Sequence, residues 1–231
     1  SGSDSNDGLS LGGAFASITQ AVSAATSSTA IYVANGTYTN NNYGLGRLGG
    51  GAALTISNVA NILLSALPGH MPKIAFDGSA GIVADGVTHL QISGFEVEGI
   101  NQQITHDEAM ADRLLHSARF SGRGIYIRRS SHVLISDNVV HDTPNSGIRV
   151  NVGDWVTIEN NVVYNCTWWS SNAESAIVLA ESLAVDTLDV VKMVIRRNTV
   201  FNNINRIPYY NSNYDDPQYL IDNQMHVARQ Y

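Results

Sequence analysis

The sequence predicts an all-β solenoid, coil stacked on coil, covered at its amino-terminal end by a helix and interrupted by one inserted helix. Three observations predict it. Four segments share the pattern apolar-x-apolar, then Asn or its equivalent, then x-Val: THLQISGFEVEG (88–99), SHVLISDNVVHD (131–142), DWVTIENNVVYN (154–165) and VKMVIRRNTVFN (191–202). Each is led by a short alternating strand, GIVAD (81–85), GIYIR (124–128), GIRVN (147–151) and AIVLA (176–180), with steps of 23 and 29 residues between the last three. Finally, 22 of the 231 residues are Asn and only two are Lys, and charged residues make up 14%, against roughly 25% in an ordinary soluble domain.

Each unit reads as three strands of about four residues, in which alternation sends one set of side chains inward and the other outward. Ile148 and Val150 point in, Arg149 and Asn151 out. A unit this small cannot bury its inner face alone and must stack on copies of itself. Asn138, Asn161 and Asn198 then occupy one corner of successive coils, where stacked amides satisfy each other and buried turn backbone.

One domain fills residues 1–231: a cap region (1–53), coils (54–203), and a long loop with an incomplete last coil (204–231). In the cap, Phe15, Ile18 and Val22 lie at helical spacing, followed by the strand AIYVA (30–34) and a GTY turn. Such a helix shields the unpaired strand edges at the end of the stack. The excursion 101–122 carries a capping box, Thr105 with Glu108, ahead of a helix over EAMADRLLHSAR. At the far end, LIDNQMHVARQY (220–231) begins another coil and stops uncapped. This end offers a surface for self-association, or marks a piece of a longer β-helix.

Composition excludes several classes. With 44% hydrophobic residues the chain is not disordered, and no stretch reaches the roughly 20 apolar residues of a membrane span. The polar opening SGSDSNDG is not a signal peptide. A net charge of −7 argues against nucleic acid, and the lone Cys166 excludes an internal disulfide. DSNDG resembles a calcium loop without the D-x-[DN]-x-[DN]-G spacing and reads as a turn. Calcium is the one metal the sequence leaves open, and no cofactor is required.

The order NDGLSLGGAFASITQAV…AIYVANGTY, followed by coils such as GIYIRRSSHVLISDNVVHD, is similar to right-handed parallel β-helix proteins of the polysaccharide lyase (pectate lyase-like) type. The amino-terminal portion resembles the cap that precedes the coils in family nine lyases. The likeness is one of fold and spans nearly the whole chain. The aspartate cluster and lysine base of those lyases are not in register here, so no catalytic residue carries over. The resemblance implies a secreted or periplasmic carbohydrate-active protein. It also places GIYIR, GIRVN and AIVLA as first strands, on the face where such lyases hold the sugar chain.

On that face the outward columns are Tyr126, Arg149, Val178 and Asp85, Arg128, Asn151, Ala180. Residues 113–149 hold six Arg and two acids, a charge of +4 that leaves −11 for the rest. A local basic strip on an acidic body suits an anionic polymer, and Arg meets carboxylates with paired hydrogen bonds. Equally, these Arg can pair with Asp142 or Glu174. Eliminating a uronate needs a group that neutralises the carboxylate, a base and an acid. Arg149 is the leading candidate, as carboxylate partner or base, assisted by Arg128, His141 and Glu174, with Tyr126 or Tyr164 as acid. His141 faces outward beside Tyr164 and Phe201, as an ordinary surface histidine would. Lys192 falls in another column with His89, His132 and Trp155. Hydrolysis instead needs two carboxylates, and Asp142 with Glu174 are the pair to consider, Asp215 and Asp216 joining from the last loop. Trp168, Trp169, Tyr209, Tyr210 and Tyr214 lie in the loops beside the groove and suit sugar stacking, with one of the two tryptophans expected to fold down and pack its own loop, and Asn151 and Asp142 as polar contacts. A non-catalytic carbohydrate-binding or structural β-helix is the alternative to a lyase, and a glycosidase comes third.

Overall fold

The computed structural model describes residues 2–209 and the backbone of 229–230. The helix α1 (Ile18–Ala24) is capped by the Ser17 hydroxyl, which accepts from the Gln20 N–H. Asp4 fastens the preceding segment by accepting from the N–H groups of Ala16 and Ser17 and from the Ser17 hydroxyl. Ile18 is buried in the core of the stack. The helix is shorter than the apolar spacing predicted, because Phe15 falls before its first turn.

The coils begin earlier than the Asn pattern suggested. β1 (Thr29–Val33) and β2 (Thr37–Thr39) pair in parallel with β4 (Ala60–Ala66) and β5 (Lys73–Ala75). The expected GTY turn is therefore largely a strand. β3 (Leu54–Ser57) completes that next coil. Then come β6 (Ala80–Asp85), β7 (Thr88–Ser93) and β8 (Glu96–Glu98), followed by β9 (Arg123–Ser136) with β10 (Val139–His141), and β11 (Ile148–Glu159) with β12 (Val162–Tyr164). β13 (Ile177–Ala180), β14 (Met193–Arg196) and β15 (Thr199–Phe201) make the last full coil described. Every pairing among these strands is parallel, so the architecture is the expected all-β parallel β-helix. In β9 and β11 the first and second strands of a coil run together.

Register aligns the core in columns. Ile82, Ile125, Ile148 and Ile177 stack in the first strands; Ile74, Val97, Val140, Val163 and Val200 stack in the third. Leu90, Val133 and Val156 stack in the second. Corners turn through left-handed residues that recur coil by coil. Asp137, Asn160 and Arg197 (φ 58°, 56° and 55°) precede the predicted Asn corner, and Asp142, Asn165 and Asn202 (φ 54°, 53° and 54°) follow the third strand. Asn and Asp tolerate this region best among non-glycine residues. Gly81, Gly124 and Gly147 share one level because the third-strand valines press on them. A Cβ at Gly124 would lie 2.3 Å from Val140 Cγ1 and 2.5 Å from the Gly147 oxygen.

The Asn corner forms a ladder. The N–H of Phe95 donates to Asn138 Oδ1, that of Asn138 to Asn161 Oδ1, and that of Asn161 to Asn198 Oδ1, at 3.1, 3.1 and 2.9 Å. Each amide Nδ2 in turn donates to the preceding coil's carbonyl, at Ile92, Ile135 and Ile158.

The excursion holds a short helix, α2 (His106–Asp112), with the predicted Thr105–Glu108 capping box. It ends sooner than EAMADRLLHSAR implied. Asp112 accepts from the Ser117 N–H and hydroxyl, and His116 turns left-handed (φ 52°). A second small core of Ile100, Ile104, Ala109, Phe120, Trp168, Trp169 and Ile207 pins the excursion to the later loops. Most of 204–231 lies outside the described residues. The pair Arg229–Gln230 (β17) runs antiparallel to Asn203–Ile204 (β16), whereas another coil would pair in parallel.

Candidate functional site

The first-strand face carries the predicted arginines. Arg128 on β9 lies between Asp85 on β6 and Asn151 on β11, and Arg149 lies level with Tyr126 and Val178. Arg123, two residues ahead of Ile125, joins them. Its guanidinium carbon and that of Arg128 lie 4.9 and 5.8 Å from the Tyr126 ring centre. Each acid on the face is shared by two guanidiniums. Asp85 meets Arg129, with Arg128 Nε at 3.9 Å, and the Arg129 bonds hold its carboxyl below the usual 3.8. Glu174, at the end of the loop before β13, accepts from Arg149 Nη1, from Arg123 Nη2 at 3.0 Å and from the Ser146 hydroxyl at 2.9 Å. Burial pushes Glu174 up, but the Arg123 and Arg149 charges outweigh it and hold it below 4.5. Arg149 Nε also donates to Asn151 Oδ1 at 2.6 Å. Four guanidiniums thus face two carboxylates. Arg128 and Arg129 present their side chains to solvent (43% and 62% exposed), while Arg123 and Arg149 are mostly covered (18% each).

His141 and Asp142 belong elsewhere. His141 projects outward from the third-strand sheet as alternation required, stacked on Tyr164 with 4.8 Å between centroids, and Tyr164 on Phe201 at 5.1 Å. It is nonetheless buried, not a surface histidine: Nδ1 lies 2.7 Å from Asp142 Oδ2 and Nε2 3.2 Å from Glu96 Oε1. Lys73 bridges Glu96 and Glu98 at 2.7 and 3.0 Å. Gln102 and Asn165 donate to Asp142 Oδ1. The expected gathering of Arg149, His141 and Glu174 therefore does not occur. Asp142 is spent on His141, Gln102 and Asn165, and Glu174 on two arginines, so the two acids are not a hydrolytic pair.

Only an imidazolium donates to two carboxylates at once. Burial lowers the His141 pKa, but the bonds to Asp142 and Glu96 outweigh it and raise it above 6.5. Burial raises Asp142 and Glu96, yet His141, and for Glu96 also Lys73, hold them below 3.8 and 4.5. Linkage fixes the sign of each arm. The histidine's contribution is complete below its unfolded value and is lost as pH rises through the raised folded value. The carboxylates' contributions are complete above their unfolded values and are lost as pH falls through the depressed ones. Urea midpoints are therefore expected to be highest at roughly pH 5–6 and lower by about pH 8.5, and His141→Phe should remove the alkaline decline. An undiminished decline in that variant would contradict the assignment.

Trp168 and Trp169 are not sugar platforms. Each is 5% exposed, and they meet edge to face at 6.4 Å inside the second core. Trp169 Nε1 donates to the Asn101 carbonyl, and Arg206 covers Trp168 at 3.2 Å. One of the two was expected to pack into its own loop; the excursion 101–122 folds over both. Tyr209 is 39% exposed; Tyr210, Tyr214, Asp215 and Asp216 lie outside the described residues. The column His89, His132, Trp155 stacks as predicted at 4.4 and 5.6 Å, ending on Lys192, which is held by Asp186.

Among the described residues no group of three or more His, Cys, Asp or Glu is arranged to hold a metal. In the opening turn, Asp4 and Asp7 are bonded to backbone N–H groups. Burial pushes the Cys166 thiol up to about 12, so it is not a nucleophile. An apolar cleft of ≈ 350 Å³ between α1 and β1, lined by Phe15, Ile18 and Tyr32, contains none of the arginines. Sequence reasoning missed Ser146 and the role of Arg123. The signal for both was the 23-residue step that sets Arg123 level with Ser146.

A family model described as the right-handed β-helix region matches residues 70–224. No curated protein and no solved structure matches the chain.

Proposed function

The chain belongs to the right-handed β-helix family, and from that premise we propose that it binds a uronate-containing polysaccharide along its first-strand face and cleaves it by β-elimination. Such regions occur in polysaccharide-degrading enzymes and in other proteins. One observation carries the reading: four guanidiniums line up on one parallel face against two carboxylates, two of them, Arg123 and Arg128, against the Tyr126 ring. The surplus positive charge is localised on a chain of net −7, which attracts an acidic polymer to this face. Arg is charged throughout the working pH range, so Arg149 and Arg128 act as carboxylate partners. They stabilise the charge that builds up when the proton beside the uronate carboxylate departs. Tyr126, level with Arg149 and beside Arg128, balances the step. Its hydroxyl gives its proton to the leaving oxygen and takes up the proton lost beside the carboxylate, so that the bond to the leaving oxygen breaks as the new double bond forms.

A secreted or periplasmic, non-catalytic binder is the second reading. The observation favouring it is that both His141 nitrogens and the Arg149 guanidinium, the two groups considered as base, already have partners among the described residues.

Incubation with pectate, alginate or glucuronan distinguishes the two. Elimination generates an unsaturated uronate and a rise in ultraviolet absorbance, and Arg149→Ala should slow that rise by roughly a hundredfold. Full activity in that variant would overturn the site. Retarded migration in polysaccharide gels without new absorbance or reducing ends would select the binder.

A further inference from the structure

Glu174 is held in an unusual way for a loop residue. Its carboxylate accepts from two guanidiniums and a hydroxyl, Arg149, Arg123 and Ser146, and its side chain is only 7% exposed. These partners come from three chain positions: the start of β9, the residue two before β11, and β11 itself. They are fixed by the register of the stack, whereas Glu174 is delivered by the loop 165–175, which has no strand of its own. The donors outnumber what one carboxylate uses. The Arg123 Nε–H is buried and has no acceptor among the described residues. Two arginines and a serine hydroxyl around a carboxylate are the groups a sugar carboxylate would need.

We propose that Glu174 occupies the seat of a substrate carboxylate, so that the loop 165–175 is a built-in competitor that an acidic sugar must displace. This rests on the acidic-polysaccharide reading above and adds to it the regulation of the same face. The exchange is non-covalent and balanced in charge, one carboxylate replacing another on the same guanidiniums. Release of Glu174 frees only the end of the loop, from the exposed Asn172 and Ala173 onward, while Trp168 and Trp169 stay in the second core, and the arriving uronate leaves Arg123 and Arg149 paired as before. The site therefore selects for ligands whose carboxylates are repeated, since neighbouring contacts at Arg128 and Arg129 must help to dislodge Glu174.

Affinity electrophoresis in polygalacturonate gels tests this with the full chain. Glu174→Gln keeps the side-chain size and removes the competing charge. Its dissociation constant for the polymer should fall by about tenfold, the effect of one charge-assisted contact. The gain should vanish in the Glu174→Gln, Arg149→Ala double variant. If the parent protein is retarded and Glu174→Gln is retarded no more, the competitor role is wrong while the polysaccharide reading stands. If neither is retarded by polygalacturonate, alginate or glucuronan, the polysaccharide reading itself falls. Glu174→Ala provides a second readout that needs no polymer. Its lowered melting temperature should recover on adding galacturonate and not galactose. Recovery with acetate but not galacturonate would show a seat too closed for a sugar and would overturn the proposal.

Discussion

Asn161→Ala is expected to destabilise the protein more than any substitution on its surface. Asn161 is fully buried, accepts from the Asn138 backbone, and donates to the carbonyls of Ile135 and Glu159. Alanine leaves at least two of these backbone groups without partners in a region closed to water, at roughly 1–3 kcal/mol each. For a domain of this size each kcal/mol lowers the melting temperature by roughly 2–4 °C, so a loss of about 10 °C is the expected scale. The same change at Asn198 should cost clearly less. Asn198 is only part-buried, near the end of the described ladder, where an orphaned group reaches solvent. Thermal melts of the two variants side by side check this, and equal losses would show that the ladder bonds do not depend on burial.

The second large effect concerns Trp169. Replacing this residue by alanine removes the centre of the small core joining the excursion 101–122 to the later loops, along with the bond to the Asn101 carbonyl. A buried Trp→Ala change costs about 3–5 kcal/mol. The damage should be local, because the main core of the stack contains neither tryptophan. Amide exchange is the suitable measurement: protection should fall over Asn101–Gln103 and α2 while the β9–β11 pairing keeps its protection. Uniform loss along the stack would mean that the two cores unfold as one. The loop bearing Trp169 also bears Glu174, so the variant should loosen the Glu174 ion pairs too.

The repeat was legible because its determinants are local and periodic. Asn138 and Asn161 recur at a 23-residue step, and inward apolar residues alternate around them. The strands β1 and β2 were harder to see as part of the stack and fell within the cap region, since they lack the corner Asn and the long loop 40–52 separates them from the coils. Charge on the first-strand face was legible too, because strand alternation fixes where Tyr126, Arg128 and Arg149 point. What the sequence could not reveal was pairing across long separations. His141 meets Glu96 from 45 residues away, and that contact turned an outward histidine into a buried ion. At least one of Trp168 and Trp169 was expected to be exposed because loops usually are; the folding of a distant excursion over them buries both.

The parallel register also makes the molecule a ruler. Neighbouring strands in such a sheet are separated by about 4.8 Å, and Ile125 and Ile148 mark successive graduations 23 residues apart. Charges on the first-strand face are therefore spaced in fixed increments that no loop can alter. Duplicating one 23-residue segment would lengthen the rod by one graduation and add one Tyr126–Arg128–Arg129 set. On the proposed polysaccharide reading, length preference would then change in whole steps, with the loops left free to set chemistry.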